Sequence, residues 1–282
     1  MDQFAGRVAV VTGAGSGMGR AFAIRLAAEG MKIVAADIQP DALAATAADL
    51  TAAGYEVASV HTDVADPASV RRLGEQAVAR FGGIHLLCNN AGVEGYLDGA
   101  IWEATDNDWS WTVSVNFWSV VHGIRVFVPL MLAHGEPAHI VNTCSMTAVT
   151  RAGNMYGITK HAVLALTEVL DSDLRARDAR IGVTALCPGI IATNLFHGSR
   201  NRPSGLRNSG ETEGARRGRE LRERMHATLA DGMPPAEVAD KLVDAVRSGA
   251  LYLLTDHDWD EQVRERHEAI MAGAVPGRAP YE

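Results

Sequence analysis

The sequence is poor in cysteine and has no surplus of basic charge. Its three cysteines, Cys88, Cys144 and Cys187, lie far apart, and each closes an apolar run (Ile84 to Cys88, His139 to Cys144, Val183 to Cys187). Neither a disulfide framework nor paired metal-ligand spacing is present, and the odd count suits a reducing compartment. The expected role is that of small buried hydrophobes on strands. Ten histidines show no ligand pattern, and His257-Asp258 with Asp260-Glu261 reads as a solvated acidic turn, so no metal is expected. Lys and Arg number 26 against 34 Asp and Glu, a formal charge of −8, which argues against a nucleic-acid partner. No uninterrupted apolar run approaches the ~20 residues that span a bilayer. Met1 to Arg7 lacks the basic lead, apolar stretch and cleavage site of a secretory signal. A cytoplasmic protein without a membrane partner is expected.

Apolar residues are plentiful. They make up 47% of 282 residues, enough for one large core, and the length suits a single α/β domain over 1–282. Strand-like and helix-like periods alternate from the start. Arg7 to Thr12, Lys32 to Asp37, Val57 to His61, Ile84 to Asn89, His139 to Cys144, Gly182 to Cys187 and Ala250 to Leu254 read as seven strands. All are near-continuously apolar, as parallel strands buried on both faces should be. Helical spacing fills the gaps: Gly19 to Glu29, a stretch opened by Pro40, Asp66-Pro67 to Phe81, about Trp109 to His134, and Met155 to Arg177. Such alternation predicts a doubly wound seven-stranded parallel sheet, a Rossmann fold, with ligands beyond the carboxyl ends of the strands. One stretch breaks the rhythm. Residues 194–235 are first rich in Arg, Gly and Ser, then a charged helix from Gly214 to Leu229. A long irregular segment after strand six is either a mobile lid or plain disorder, and its place favours a substrate lid. The tail 273–282 is expected to be loose.

Thr12-Gly13-Ala14-Gly15-Ser16-Gly17-Met18-Gly19 joins the first strand to the first helix. Glycines let the backbone turn tightly and approach a pyrophosphate, whose charge then faces the positive end of a helix dipole. Asp37, at the end of strand two, stands near the ~20-residue spacing of a carboxylate that accepts the adenosine ribose hydroxyls. It would repel a 2′-phosphate, and Ile38 beside it offers no cation, so NAD is expected over NADP. Asp63, in Thr62-Asp63-Val64, either accepts from the adenine amino group or simply caps a turn.

Tyr156-Gly157-Ile158-Thr159-Lys160 places a phenol and an ammonium on one helix face, about 5–6 Å apart at Cβ. A nearby cation stabilises phenolate and draws a tyrosine below its free value of ~10. The phenol then serves as base towards an alcohol or as acid towards a ketone.

Thr12 to Gly19, Asn89-Asn90-Ala91-Gly92, Ser145, Tyr156 to Lys160 and Pro188-Gly189 occur together and in order. That set resembles the short-chain dehydrogenases/reductases over nearly the whole chain, most weakly in 194–235 and the tail. The resemblance implies a catalytic group of four. Tyr156 would be the acid/base, and Lys160 would hold the nicotinamide ribose. Ser145 would bond the substrate oxygen, and Asn116 would anchor a water leading from Lys160 to solvent. It also implies a cofactor site at Gly13, Gly15, Ser16, Gly17, Met18, Gly19, Asp37, Ile38, Asp63, Val64, Asn90, Ala91, Gly92, Pro188, Gly189, Ile191 and Thr193, with Thr193 on the carboxamide. The Ser145–Tyr156 loop is about two residues shorter than is common in the family, and Thr143 offers a hydroxyl at the usual spacing; the Asn142-Thr143-Cys144-Ser145 alignment favours Ser145.

Val93, Tyr96, Leu97, Met146, Val149, Met155, Ile190, Leu195 and Phe196 are expected to line the substrate pocket. They point to a bulky, hydrophobic secondary alcohol or ketone, aryl or alicyclic, with steroids and terpenoids open. The stretches 135–141 and 250–254 resemble bacterial members that oxidise such alcohols. An NADPH-dependent carbonyl reductase and a catalytically silent dinucleotide sensor are the rival readings. The long helices carrying Asn116 and Tyr156 are expected to pair with copies of themselves in a homodimer or homotetramer.

Overall fold

Seven short apolar runs become seven strands of one parallel sheet in the computed structural model, which describes residues 1–210 and 213–275. They are β1 (Val8–Thr12), β2 (Lys32–Asp37), β3 (Val57–His61), β4 (Leu86–Asn89), β5 (Ala138–Thr143), β6 (Ile181–Cys187) and β7 (Tyr252–Leu254), in the order β3-β2-β1-β4-β5-β6-β7. The winding direction reverses between β1 and β4, and the two strands splay into a crevice at that point. Every pairing is parallel.

Strand alternation splits the core in two. Ala9, Val11 and Ile33 face one layer with Phe22 and Leu26 of α1 (Gly17–Ala28) and Val238 and Leu242 of α8 (Pro235–Ser248). Val8, Val10 and Val34 face the other, with Leu73 of α3 (Pro67–Phe81), Phe127 and Met131 of α5 (Ser119–His134) and Leu170 of α6 (Met155–Arg175). Helix α2 (Pro40–Ala52) adds Leu43 and Leu50 to the first layer, and α4 (Asp106–Val113), α7 (Glu213–Ala230) and α9 (Asp260–Ala272) complete the α-helices among the described residues. Asp66 opens α3 as expected, accepting from the Ala68 and Ser69 N–H groups ahead of Pro67. The cysteines are free and buried, Cys88 on β4, Cys187 on β6 and Cys144 one residue past β5.

The structure adds to and departs from the sequence reading in several places. The edge strands β3 and β7 are only partly buried, because each has a neighbour on one side alone. Asp260-Glu261 opens helix α9 rather than forming an acidic turn, since the pair suits the positive end of a helix dipole. The continuous helical stretch Asp106–His134 is long and apolar enough, by length and composition, to cross a membrane; a third of its most apolar window is buried, and it packs on α3 and α6. The stretch 194–235 leaves and returns at one point. Ile190 and Ala192 both pair with Met233, so the excursion is closed at its base. The expectation of a loose tail falls in part on residues 276–282, outside the described residues.

His139, on β5, couples the fold to pH. Its ring is buried; Nε2 meets Thr184 Oγ1 at 2.8 Å while Thr184 donates to the Ala250 carbonyl, so Nε2 carries the proton. Burial pushes its pKa down to about 3. The unfolded chain, with an ordinary His near 6.5, then binds the extra proton, and stability falls as pH drops below that value, by about 1.4 kcal/mol per unit. His85, lowered first by burial and then by His134, acts in the same direction. The urea midpoint is expected to fall between pH 6.5 and 5, and His139→Gln is expected to flatten that slope by about one proton's share; an unaltered slope contradicts the assignment.

Candidate active site

The carboxyl ends of β1, β2, β4 and β5 open onto a cavity of about 280 Å³. At one end lies the glycine turn. Gly17 sits at φ +52, a left-handed conformation that side chains resist. A Cβ on Gly19 would lie 2.1 Å from the Gly13 carbonyl oxygen, so only glycine lets the first turn of α1 close against β1. Gly13, Gly15, Ser16, Gly17 and Met18 line the cavity; Gly19 stands behind them. Asp37 is locked by two backbone donors, Gly15 N–H on Oδ2 at 2.9 Å and Gln39 N–H on Oδ1 at 2.8 Å. A carboxylate has about four acceptor positions, so capacity for ribose hydroxyls remains. Ile38, Asp63, Val64, Asn90, Ala91, Gly92 and Thr193 also face this cavity. Asp63 meets both of its readings: Oδ1 accepts the Ala65 N–H at 2.9 Å as a turn cap, and the residue is on the cavity wall. Asn90 holds the splayed strands together, its N–H and Nδ2 donating to Thr12 at 2.9 Å each. Its Oδ1 is buried without a partner in the protein.

At the other end α6 brings in Tyr156 and Lys160. Asn154 caps the helix, its Oδ1 accepting the Gly157 N–H at 3.0 Å, so the short loop from Ser145 delivers Tyr156 in the first turn. The Lys160 ammonium lies 5.4 Å from the Tyr156 ring centroid and donates to the Thr143 carbonyl at 2.7 Å. Burial pushes its amine down to about 8, opposed in part by the neighbouring Cys144 and Cys187. Asn116 is fully buried inside a π-helical turn, Ser114–Trp118. Its Oδ1 accepts the Val93 N–H at 2.8 Å, and its Nδ2 donates to the Val93 carbonyl at 2.9 Å and to Thr159 Oγ1 at 3.2 Å. Such widened turns recur at functional sites. A Cβ on Gly92 would lie 3.4 Å from Asn116 Oδ1 and 3.7 Å from Lys160 Nζ, so glycine keeps the space between them open.

Ser145 is buried off the cavity wall. Its Oγ accepts the Thr147 N–H at 3.1 Å, which leaves the hydroxyl proton for another acceptor. Thr143 is on the wall, with its Oγ1 buried and unpartnered. Pro188, Gly189 and Ile191 also stand away from the wall. Gly189 N–H is taken by Thr255 Oγ1 at 3.0 Å, and the Ile191 side chain belongs to the core beside α8.

The apolar wall differs from the expected one. Val93 and Leu195 are on it, but Met146 and Met155 are buried in the core. Trp111, Val115, Pro203 and Leu206 take their place. Trp111 and Val115 could have been found by stepping back from Asn116 along its own helix, whereas Pro203 and Leu206 arrive from the distant 194–235 stretch. Gln39, also on the wall, carried no local signal, whereas Arg200 lies in the Arg-rich stretch expected to form a lid.

A turn that tolerates no Cβ, a locked carboxylate at the end of β2 and a spare Asn90 acceptor in the same crevice fit a dinucleotide. Fold and site thus define a dinucleotide-binding α/β protein with a Tyr/Lys pair beside its cavity. Comparison with known proteins narrows this. A family model described as short chain dehydrogenase matches residues 7–204. The chain is 43% identical over 194 residues to 1-deoxy-11-beta-hydroxypentalenate dehydrogenase of Streptomyces exfoliatus, covering 68% of this chain and 70% of that one. It is 34% identical over 197 residues to cyclohexanol dehydrogenase of Acinetobacter sp. strain SE19, covering 69% and 77%. A crystal structure of a short-chain dehydrogenase/reductase from Burkholderia phymatum in complex with NAD superposes with a TM-score of 0.93 at 41% identity, covering 100% of both chains. The chain belongs to the short-chain dehydrogenase/reductase family.

Proposed function

We propose that the protein uses NAD to oxidise a bulky, hydrophobic secondary alcohol, alicyclic or aryl, to its ketone. The observation that carries this reading is a single cavity running from the locked Asp37 to the Tyr156–Lys160 pair and walled there by Trp111, Val115, Leu195 and Leu206. Hydride acceptance from the carbinol carbon is the chemistry that bound NAD supplies. The chain's residues handle the proton. Tyr156 takes it from the alcohol oxygen, because the Lys160 charge favours the phenolate. Ser145, just off the cavity wall with its hydroxyl proton free, would by the family resemblance donate it to the same oxygen and hold it in place. Asn116 fixes the Val93 backbone and the Thr159 hydroxyl next to Lys160, from which the proton departs. The nicotinamide ribose would be held by Lys160, the adenosine ribose by Asp37 and the carboxamide by Thr193.

Asp37 favours NAD on physical grounds, since a 2′-phosphate would stand against a carboxylate already fixed by two N–H groups. The NAD complex of the Burkholderia relative supports this, and the relatives named for hydroxypentalenate and cyclohexanol support an alicyclic substrate. The test is NAD and NADP reduction across cyclohexanols, aryl carbinols and hydroxysteroids. NAD is expected to be preferred, and Asp37→Ala is expected to shift the ratio towards NADP by about tenfold, the equivalent of ~1.4 kcal/mol. Preference of the unaltered protein for NADP, or turnover confined to charged alcohols, would overturn the reading.

A further inference from the structure

The strap that follows β6 reaches past the substrate end of the cavity. Gly198, Arg200 and Asn201 line the same cavity as the glycine turn, Asp37 and Gln39. Two contacts fix its path. On one bank the Ser199 N–H donates to Glu94 Oε1 at 3.1 Å, and Glu94 is itself buried beside Arg222 of α7. On the other bank Gln39 Nε2 donates to Asn201 Oδ1. Beyond these, Arg202 binds Asp108 Oδ1 at 2.7 Å and lies over the Trp111 ring at 5.2 Å. Arg200 therefore stands between two anchored neighbours, one on each side of the crevice.

Charge singles it out as well. Among the described residues lining the cavity, the cationic side chains are Lys160 and Arg200. The Lys160 ammonium is engaged beside Tyr156, at the substrate end. Arg200 donates from one Nη to the His197 carbonyl at 2.7 Å, and a guanidinium has five N–H donors, so most remain available. The middle of a dinucleotide is its pyrophosphate. The glycine turn and the start of α1 offer that group neutral N–H donors from one side only.

We infer that Arg200 completes the pyrophosphate site from the opposite side, and that the Gln39–Asn201 clasp holds the adenosine half under the strap. Arg200 and Asn201 are then cofactor-binding residues, and the strap must release the clasp before the dinucleotide leaves. Arginine suits the task because its planar fork matches phosphate oxygens with charge-assisted bonds. The inference rests on the dinucleotide reading of the cavity.

Calorimetric titration with NADH and with ADP-ribose, which has the pyrophosphate but no nicotinamide, separates the two claims. Arg200→Ala is expected to weaken both ligands by about tenfold, with the loss shrinking at high salt, while Arg200→Lys recovers part of the affinity. Thermal melting of both variants should match the unaltered protein. Asn201→Ala is expected to speed NADH dissociation several-fold in stopped-flow fluorescence. Unchanged ADP-ribose affinity in Arg200→Ala, or a lysine variant no better than alanine, overturns the inference and leaves the dinucleotide reading standing. Failure of the unaltered protein to bind either ligand removes both.

Discussion

Tyr156→Phe is expected to bind NADH as the unaltered protein does and to turn over alcohol more slowly by a factor on the order of 10²–10⁴. The substitution removes one oxygen and nothing else. The ring stays in the first turn of α6, which Asn154 caps independently. The Lys160 ammonium keeps its place near the ring and its bond to the Thr143 carbonyl. In the proposed binding mode Asp37, the glycine turn and Asn90, each fixed by bonds within the protein, would hold most of the dinucleotide without the phenol. Binding and turnover should therefore separate cleanly, which a general disturbance of the site would not produce. The measurement is NADH affinity by fluorescence beside steady-state alcohol oxidation in the same preparation. Turnover within tenfold of normal would remove Tyr156 as the acid/base and the mechanism with it.

Asn116→Ala is expected to damage stability as well as turnover. The amide is fully buried, and its loss strands the Val93 N–H, the Val93 carbonyl and one bond of Thr159. Each buried polar group left unmade costs about 1–3 kcal/mol, so a total of roughly 3–9 kcal/mol is expected. Domains of this kind are stable by only about 5–15 kcal/mol, and the melting temperature should drop by about 10 °C or more. Val93 follows Gly92, whose missing side chain is what leaves room between Asn116 and Lys160, so movement of that backbone would also disturb the proton exit proposed there. Asn116→Asp keeps an acceptor for the Val93 N–H but turns an oxygen towards the Val93 carbonyl, and should lie between. A melting temperature within 2 °C of normal for the alanine variant would show that the three bonds do not hold this region.

The parts of the molecule legible in the sequence are those whose signal is local. A glycine turn must be contiguous, because it wraps one phosphate group. A tyrosine and a lysine on one helix face must be four apart, and Asp37 must end the strand after the turn. The seven strands announced themselves by near-continuous apolar runs, and both faces of the five inner ones are covered, whereas β3 and β7 at the edges are only partly buried. The pocket wall could not be read in this way. Met146 and Met155 adjoin Ser145 and Tyr156 in the chain, but both are buried in the core, since neighbours along a backbone point different ways. Trp111 and Leu206 share the cavity only because the strap folds back across it. Helix α9 escaped notice because it buries no residue fully, and so leaves no apolar stripe to find.

The π-helical turn at Asn116 has a bearing on how this chain tolerates change in length. Thr112, Asn116 and Val120 are all buried and four apart, while an α-helix overshoots a full circle by about 40° every four residues. The wide turn absorbs that drift with one surplus residue. Excising a residue from 114–118 would restore a uniform ladder and leave Trp111 and Phe127 on nearly their present faces, because the five residues of the wide turn cover about the arc of four in an α-helix. The change would fall on Asn116, whose buried amide would lose its place against the Val93 backbone. A tidier helix would cost the crevice its amide.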